Sequence, residues 1–507
     1  MILSISITLI FIVCLWLLYK FIINPYRLVQ FYASQGFQPF FYPYKGYLHF
    51  LQTSSKKHHD VTYMQSHFAR NYQNSKGMVF NTKDYVVIIL YDLKLKKAFY
   101  LNNDKYIKRK SGPSLFTQEV IGDQNLLFSE HEEWKKRRRI ISKAFNFEFV
   151  KSLGPFVVST SNNVFQEIID QNKLEAVNIM NLFQEITGRS FVTSFFGEEM
   201  SGMKFEGENM TTALNNLLNK HIIQGYQMFS FIFGGEFARK LRITQSQMDL
   251  HQKNLRFKEA IGILIKAKHD LYMKKELPKN NLLSMFFEQN PDLNSQLQDL
   301  IHEYITLYVA GTDTTGHLVA HMVLMILNNP ETKIKLLEEI EKTPNLEDDK
   351  MSWDAVSKMP YLHSFMKETL RFKSAVNEIG QRVATTDFKM DDVLVKKGTV
   401  IMSGMNINIY DPKSFEEPDK FIPERWMKGG KNAALEEEEP YLFIPFSAGN
   451  RNCIGQHLAK FEAMVVLVKF LKKFDFKWKN ENYKESWVLR FLYEPKEPII
   501  LTLKLRS

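Results

Sequence analysis

Cysteine is scarce in this sequence: there are two in 507 residues, Cys14 and Cys453. A disulfide framework, an iron–sulfur cluster and a four-cysteine zinc site are therefore all beyond what one chain supplies. Low-complexity linkers and internal repeats are also missing. Hydrophobic residues make up 45% and charged residues 24%, which excludes a mostly disordered chain and a multi-span membrane protein. Acid is not in excess, since 66 Lys+Arg against 56 Asp+Glu leave a formal charge of +10. At roughly 150 residues per domain, the length fits about three domains or one large one. The 41 Phe and 21 Tyr suit a large apolar core and identify no function.

What is present begins at the N-terminus. Ile2 to Tyr19 is uncharged and mostly apolar, and the run continues past Lys20 through Phe21, Ile22 and Ile23, long enough to span a bilayer as a helix. Lys20 and Arg27 follow the apolar run and no Ala-x-Ala-like site occurs, so residues 1–23 are expected to be an uncleaved anchor and not a removed signal. The same charges place the remainder of the chain on the cytosolic side. Residues 24–46 carry Pro25, Pro39 and Pro43 among aromatics and are expected to form a stiff, non-helical connector, with residues 47–507 as one large domain.

Helical spacing of apolar residues dominates from about 130 to 375, near 130–146, 150–172, 178–196, 209–232, 246–275, 296–329, 331–342 and 359–373. Strand-like runs are few: Tyr85–Tyr91, Arg382–Phe388, Thr399–Met402 and the alternating segment Trp487–Leu503. A last helix is expected over Cys453–Lys473. The acidic run Glu436–Glu439 reads as a solvated surface insertion.

With Cys14 inside the anchor, the body of the chain has one thiol. It lies in Pro445-Phe446-Ser447-Ala448-Gly449-Asn450-Arg451-Asn452-Cys453-Ile454-Gly455. Gly449 and Gly455 allow a tight backbone around the sulfur, Phe446 walls off water and Arg451 can meet a carboxylate. A helix starting at Cys453 would favour the thiolate through its N-terminal dipole. The simpler reading is a buried structural cysteine, which is the usual fate of a free thiol.

This F-x-x-G-x-R-x-C-x-G loop resembles the haem-ligand loop of the cytochrome P-450 family of haem-thiolate monooxygenases. The resemblance implies a mainly α fold with a small β-rich region, one large haem domain, and Cys453 as axial ligand to the iron of haem b (iron protoporphyrin IX). Glu368-Thr369-Leu370-Arg371 places an acid and a base three apart on one helix face. A second such copy, Glu236-Phe237-Ala238-Arg239, shows how easily the spacing arises by chance. Only the first is followed by Phe421-Ile422-Pro423-Glu424-Arg425-Trp426, and the family likeness implies a structural network of Glu368, Arg371 and Arg425 that locks the ligand loop.

Ala310-Gly311-Thr312-Asp313-Thr314-Thr315 is an odd centre for a buried helix, because glycine and β-branched residues are poor helix formers and a buried acid needs a partner. The family's oxygen-binding groove implies that Ala310 and Gly311 leave room over the iron, that Thr314 hydrogen-bonds dioxygen and that Asp313 relays protons. The plain alternative is threonines bonding back to the preceding turn. In Trp134-Lys135-Lys136-Arg137-Arg138-Arg139, a basic run that is ordinarily a solvated face, Trp134 and Arg138 share one face and resemble haem-propionate contacts, as do Arg382 and Arg451. The other cations of the run would form a positive surface for an acidic electron donor. No nucleic-acid-binding motif accompanies them. His317 and His321 stand four apart without the glutamate of a zinc-protease helix and read as ordinary helix histidines.

The likeness therefore implies insertion of one oxygen atom of O2 into an apolar small molecule, a lipid, sterol or xenobiotic. Electrons would come from NADPH through a separate flavoprotein reductase, with a cytochrome b-type protein as a second candidate donor. The expected setting is the endoplasmic reticulum membrane, in contact with lipid. Two alternatives stay open: an oxygen-independent isomerase or dehydratase of the same family, and a haem-binding sensor without turnover. Pocket-lining residues are sought around Leu115–Phe116, Tyr226–Phe233 and the long helix.

Overall fold

Helix termini along the chain are set by recognisable local chemistry. Pro155, Pro330 and Pro360 sit in first turns, where a missing N–H costs nothing. Asn146, Asn178, Asn281 and Asp292 cap helix starts through their side-chain oxygens, and Thr244 with Gln247 forms a reciprocal capping box. The computed structural model describes residues 2–43, 46, 53, 60, 63–82, 85–108, 114–197, 203–225, 240–278, 281–348, 350–376, 381–405, 407–490 and 492–506. The Glu236–Arg239 pair and the pocket segment 226–233 lie outside these residues, as does the side chain of Leu115.

The architecture is mainly α with a small β region. Helices His131–Ala144, Gly154–Asp170, Ile179–Phe196, Met210–Gly225, Gln245–Met273, Leu293–Asn328, Pro330–Lys342 and Pro360–Phe372 follow the apolar periodicity closely. Helices Tyr63–Asn71, Leu93–Tyr106 and Ser114–Ile121 also occur, in a region where the sequence pattern gave no such expectation. The main apolar core gathers around the 36-residue helix Leu293–Asn328, which at 1.5 Å per residue is about 54 Å long, and around the terminal helix Gln456–Lys473. That terminal helix starts three residues later than expected: Cys453 lies in the preceding loop and Gly455 is the N-cap.

A six-stranded mixed sheet forms the β side, in the order Phe37–Phe40, Gly77–Asn81, Val86–Leu90, Val400–Met402, Arg382–Ala384 and Ile107–Lys108. Its two faces carry separate apolar clusters, because successive side chains of a strand point to opposite faces and both faces here are covered. Near the C-terminus, Phe474–Trp478 and Ile500–Leu505 pair antiparallel, with Trp478 opposite Leu501, and Trp487–Leu489 pairs Tyr493–Pro495.

The connector departs from expectation. Helix Ile2–Leu18 runs through a π turn, Tyr19–Ile23, into a further helix, Asn24–Ala33, despite Pro25. Proline cannot donate to the helix ladder, but Pro25 falls in the first turn of this helix, where the missing N–H is tolerated. The apolar helix is long enough to cross a membrane and none of that span is buried. Below it, Val29 and Tyr32 are fully buried on the sheet, where the Tyr32 hydroxyl lies 2.8 Å from Thr399 Oγ1 and accepts the Lys396 amide.

Candidate active site

Two stretches of chain define the site. The first is the loop before the terminal helix. The Cys453 amide donates to the Phe446 carbonyl at 2.9 Å, and Gly449 takes a left-handed φ of +68° against the Tyr100 backbone, where a side chain would collide. Phe446 packs on the core edge with the Lys460 ammonium 5.0 Å from its ring centre. Cys453 keeps open surface although protein surrounds it, the combination expected of a side chain on the wall of an interior recess. Burial pushes the thiol pKa up; the Gly455 amide, Arg138 and Lys460 act in the opposite direction by favouring the thiolate.

The helix His131–Ala144 clamps this loop. Arg138 donates to both the carbonyl and the side-chain oxygen of Asn452, at 2.9 Å each, a role that sequence spacing did not reveal. Arg451 lies 4.3 Å from the Trp134 ring centre and donates to the Ser129 carbonyl at 2.8 Å. Trp134, Arg138 and Arg451 are thus brought together beside Cys453. Arg382 is buried on the sheet, 5.9 Å from the Phe99 ring. One part of the basic surface needs correction: Arg137 faces inward, bound to Asp299 at 2.6 Å and Glu303 at 3.1 Å, while Lys135, Lys136 and Arg139 stay exposed. Burial raises the Glu303 pKa to about 7, although Arg137 and the Leu126 amide pull the other way.

The second stretch is the middle of the long helix. Its neighbours are buried, yet Ala310 is exposed and Gly311 and Thr314 are half-exposed, residues that share one face at i, i+1 and i+4. Thr314 donates to the Ala310 carbonyl at 2.8 Å. Gly311 serves close packing: a Cβ there would stand 2.5 Å from the Phe191 ring, so the space left by its missing side chain is filled. Asp313 points to a different side from Thr314. Its Oδ1 accepts from Gln184 at 3.0 Å and Asn215 at 2.7 Å, neither of which the sequence singled out. Burial lifts its pKa to about 6.

His317 Nδ1 contacts the Asp313 carbonyl at 2.7 Å and Nε2 lies 3.0 Å from Glu494. Burial opposes protonation of this ring, but the bond to Glu494 and the charges of Asp313 and Glu494 prevail and raise its pKa. His321 bonds the Lys373 carbonyl, and no group of three metal-ligating side chains occurs among the described residues.

Behind the loop, Glu368 accepts from Arg371 Nε at 2.9 Å and Nη2 at 2.8 Å, from Arg425 at 3.1 Å, from the Trp426 indole at 2.8 Å and from the Ile422 amide at 2.9 Å. Arg371 also ties down the carbonyls of Ile409, Pro418 and Lys420. The Trp426 and Phe443 rings meet at a tilt of 37°, 4.7 Å between centres, which carries the frame toward the cysteine loop.

This geometry meets an independent finding from comparison with known proteins. The chain is 25% identical over 414 residues to Cytochrome P450 3A12 of Canis lupus familiaris, covering 79% of this chain and 78% of that protein. It is 26% identical over 383 residues to Cytochrome P450 3A31 of Mesocricetus auratus, 74% of each chain. With Probable cytochrome P450 12d1 distal, mitochondrial, of Drosophila melanogaster it shares 24% over 454 residues, 87% of this chain and 83% of that one. The family model for Cytochrome P450 matches residues 38–502, so the chain belongs to the cytochrome P450 family, haem-thiolate enzymes that incorporate molecular oxygen.

Proposed function

We propose that Cys453 is the axial ligand of a haem b held between its loop and the face of the long helix at Ala310, Gly311 and Thr314. The observation that carries this is Cys453 itself: an open thiol enclosed by protein, with the Gly455 amide and the Arg138 charge favouring its thiolate. The residues around it fit a flat apolar ring with acidic edges. Trp134, Arg138 and Arg451 gather on one side of the loop, with Arg382 assigned to the same propionate edge; Gly449, Gly455 and Phe446 shape the wall, and Ala310 leaves the opposite wall open. When bound, the haem supplies the activation of dioxygen. The chain excludes water with its apolar core, presents the Thr314 hydroxyl, and keeps at Asp313 a carboxyl able to exchange protons near neutral pH.

The substrate in this reading is an apolar small molecule. Electrons arrive from NADPH through a separate flavoprotein reductase that meets the exposed Lys136, Arg139 and Lys143, with a cytochrome b-type protein as second donor. The exposed apolar helix anchors the body, residues 47–507, to the cytosolic face of the endoplasmic reticulum membrane. Reduced protein under carbon monoxide is expected to show the red-shifted Soret band of thiolate ligation, and Cys453→Ala to lack it. The same band in wild type and Cys453→Ala removes Cys453 as ligand.

A further inference from the structure

His317 stands about one helical turn after Asp313, and both of its ring nitrogens meet oxygen. Nδ1 lies 2.7 Å from the Asp313 carbonyl, which can only accept, so this nitrogen carries a proton. Nε2 lies 3.0 Å from Glu494 Oε2, and that contact needs a proton too. A neutral imidazole has a single N–H, so the second proton belongs to the His317–Glu494 pair, an imidazolium against a carboxylate with side chains only 2% and 17% exposed.

Glu494 reaches the helix from the C-terminal hairpin, where it stands opposite Val488. Its other oxygen, Oε1, accepts from the surface guanidinium of Arg490. Burial works against the Glu494 charge, but the bonds and charges of His317 and Arg490 outweigh it and hold the pKa below the ordinary carboxylate value. The His321 ring stands 5.9 Å from that of His317 and contacts the Lys373 carbonyl through Nδ1. Burial, with the charges of His317 and Lys373 adding to it, lowers its pKa to about 3, so it stays neutral. Asp313 gains from this arrangement. Burial opposes its charge, and the strongest influence in favour is His317, ahead of the bond from Asn215; Glu494 acts on it in the opposite sense and more weakly than His317.

We propose that His317, kept as an imidazolium by Glu494, is a positioning residue for Asp313: it holds the Asp313 carbonyl and supplies the positive charge that lets the buried carboxyl give up its proton. The hairpin Trp487–Pro495 thereby sets how tightly a group on the long helix holds a proton. The consequence for turnover rests on the proposed role of Asp313; the pairing does not.

The test uses haem-loaded full-length protein melted from about pH 4 to pH 8.5. The rise in melting temperature caused by Asp313→Asn is measured in wild type, His317→Gln and Glu494→Gln. A carboxyl with a raised folded pKa loses stability as pH climbs from its unfolded to its folded value, so this rise levels off near about 6 in wild type. In His317→Gln it is expected to level off about one pH unit higher, the effect of removing one nearby opposite charge. Glu494→Gln is expected to move it the same way by less, because loss of that carboxylate neutralises His317 but also removes a repulsion of Asp313. An unmoved plateau in His317→Gln overturns the proposal. No movement, or a downward one, in Glu494→Gln means that His317 keeps its charge without Glu494 and overturns the pair. In parallel, NADPH consumption with a flavoprotein reductase and no added substrate is followed over the same range, and its fall at high pH is expected to move up in step. A plateau that moves while consumption keeps its pH profile supports the pair and overturns the role of Asp313 in turnover.

Discussion

Glu368 and Asp313 are both buried carboxylates on helices that flank the site, and they are treated in opposite ways. Glu368 is met by two guanidiniums, an indole and a backbone amide, so its charge is compensated where it stands. Asp313 receives two side-chain amides and no cation within hydrogen-bonding distance among the described residues, and burial lifts its pKa to about 6. The contrast separates a frame from a working group. A fully paired acid fixes geometry, whereas an under-compensated one holds its proton loosely near physiological pH.

The largest effect that tests this contrast is expected from Glu368→Gln. It leaves Arg371 and Arg425 buried without their counter-charge, at a cost of about 3–5 kcal/mol. The readout is a sharp fall in melting temperature and in haem retention; a variant as stable as wild type would mean that the carbonyls alone hold the arginines. The opposite sign is expected for Asp313→Asn. A carboxyl whose folded pKa lies above its unfolded value binds its proton more tightly when folded, so stability is lost as pH rises from the ordinary 3.8 through about 6 and remains lower above that. Replacing it with a neutral amide, which can still accept from Gln184 and Asn215, should stabilise by about 1–3 kcal/mol at pH 7.5 and by much less at pH 4.5. Melting temperatures at the two pH values decide it: a variant no more stable than wild type at pH 7.5 places Asp313 with Glu368 as a frame residue. The smallest stability effect belongs to Thr314→Ala, within about 0.5 kcal/mol, because its hydroxyl serves only its own turn. Its expected signature is kinetic, less product per dioxygen consumed and more peroxide released; unaltered coupling takes Thr314 out of the chemistry.

The helices from 130 to 375 were legible because one-sided burial writes a 3.6-residue period into the sequence, and the cysteine loop because its glycines and cation have fixed spacing. Strand Gly77–Asn81 was missed, being buried on both faces and lacking alternation. Arg137 is more instructive. Trp134, Arg137, Ile141 and Ala144 form one buried stripe, so the period already places a cation in the core. Its partner Glu303 is 166 positions away, a distance at which no local pattern speaks. The clamp of Arg138 on Asn452 and the amides on Asp313 were hidden for the same reason: each joins elements that meet only in the fold.

The root of the N-terminal helix has a mechanical consequence. A loose tether would let the body swivel beneath the bilayer, but this helix passes without a break into a segment whose Tyr32 is bonded to Thr399, at the head of the strand Val400–Met402. In that strand Ile401 is in register with Arg382. The helix therefore works as a mast stepped into the sheet. With its upper part inserted as proposed, a change in bilayer thickness that tilts the mast would bear on the strand pair that carries Arg382.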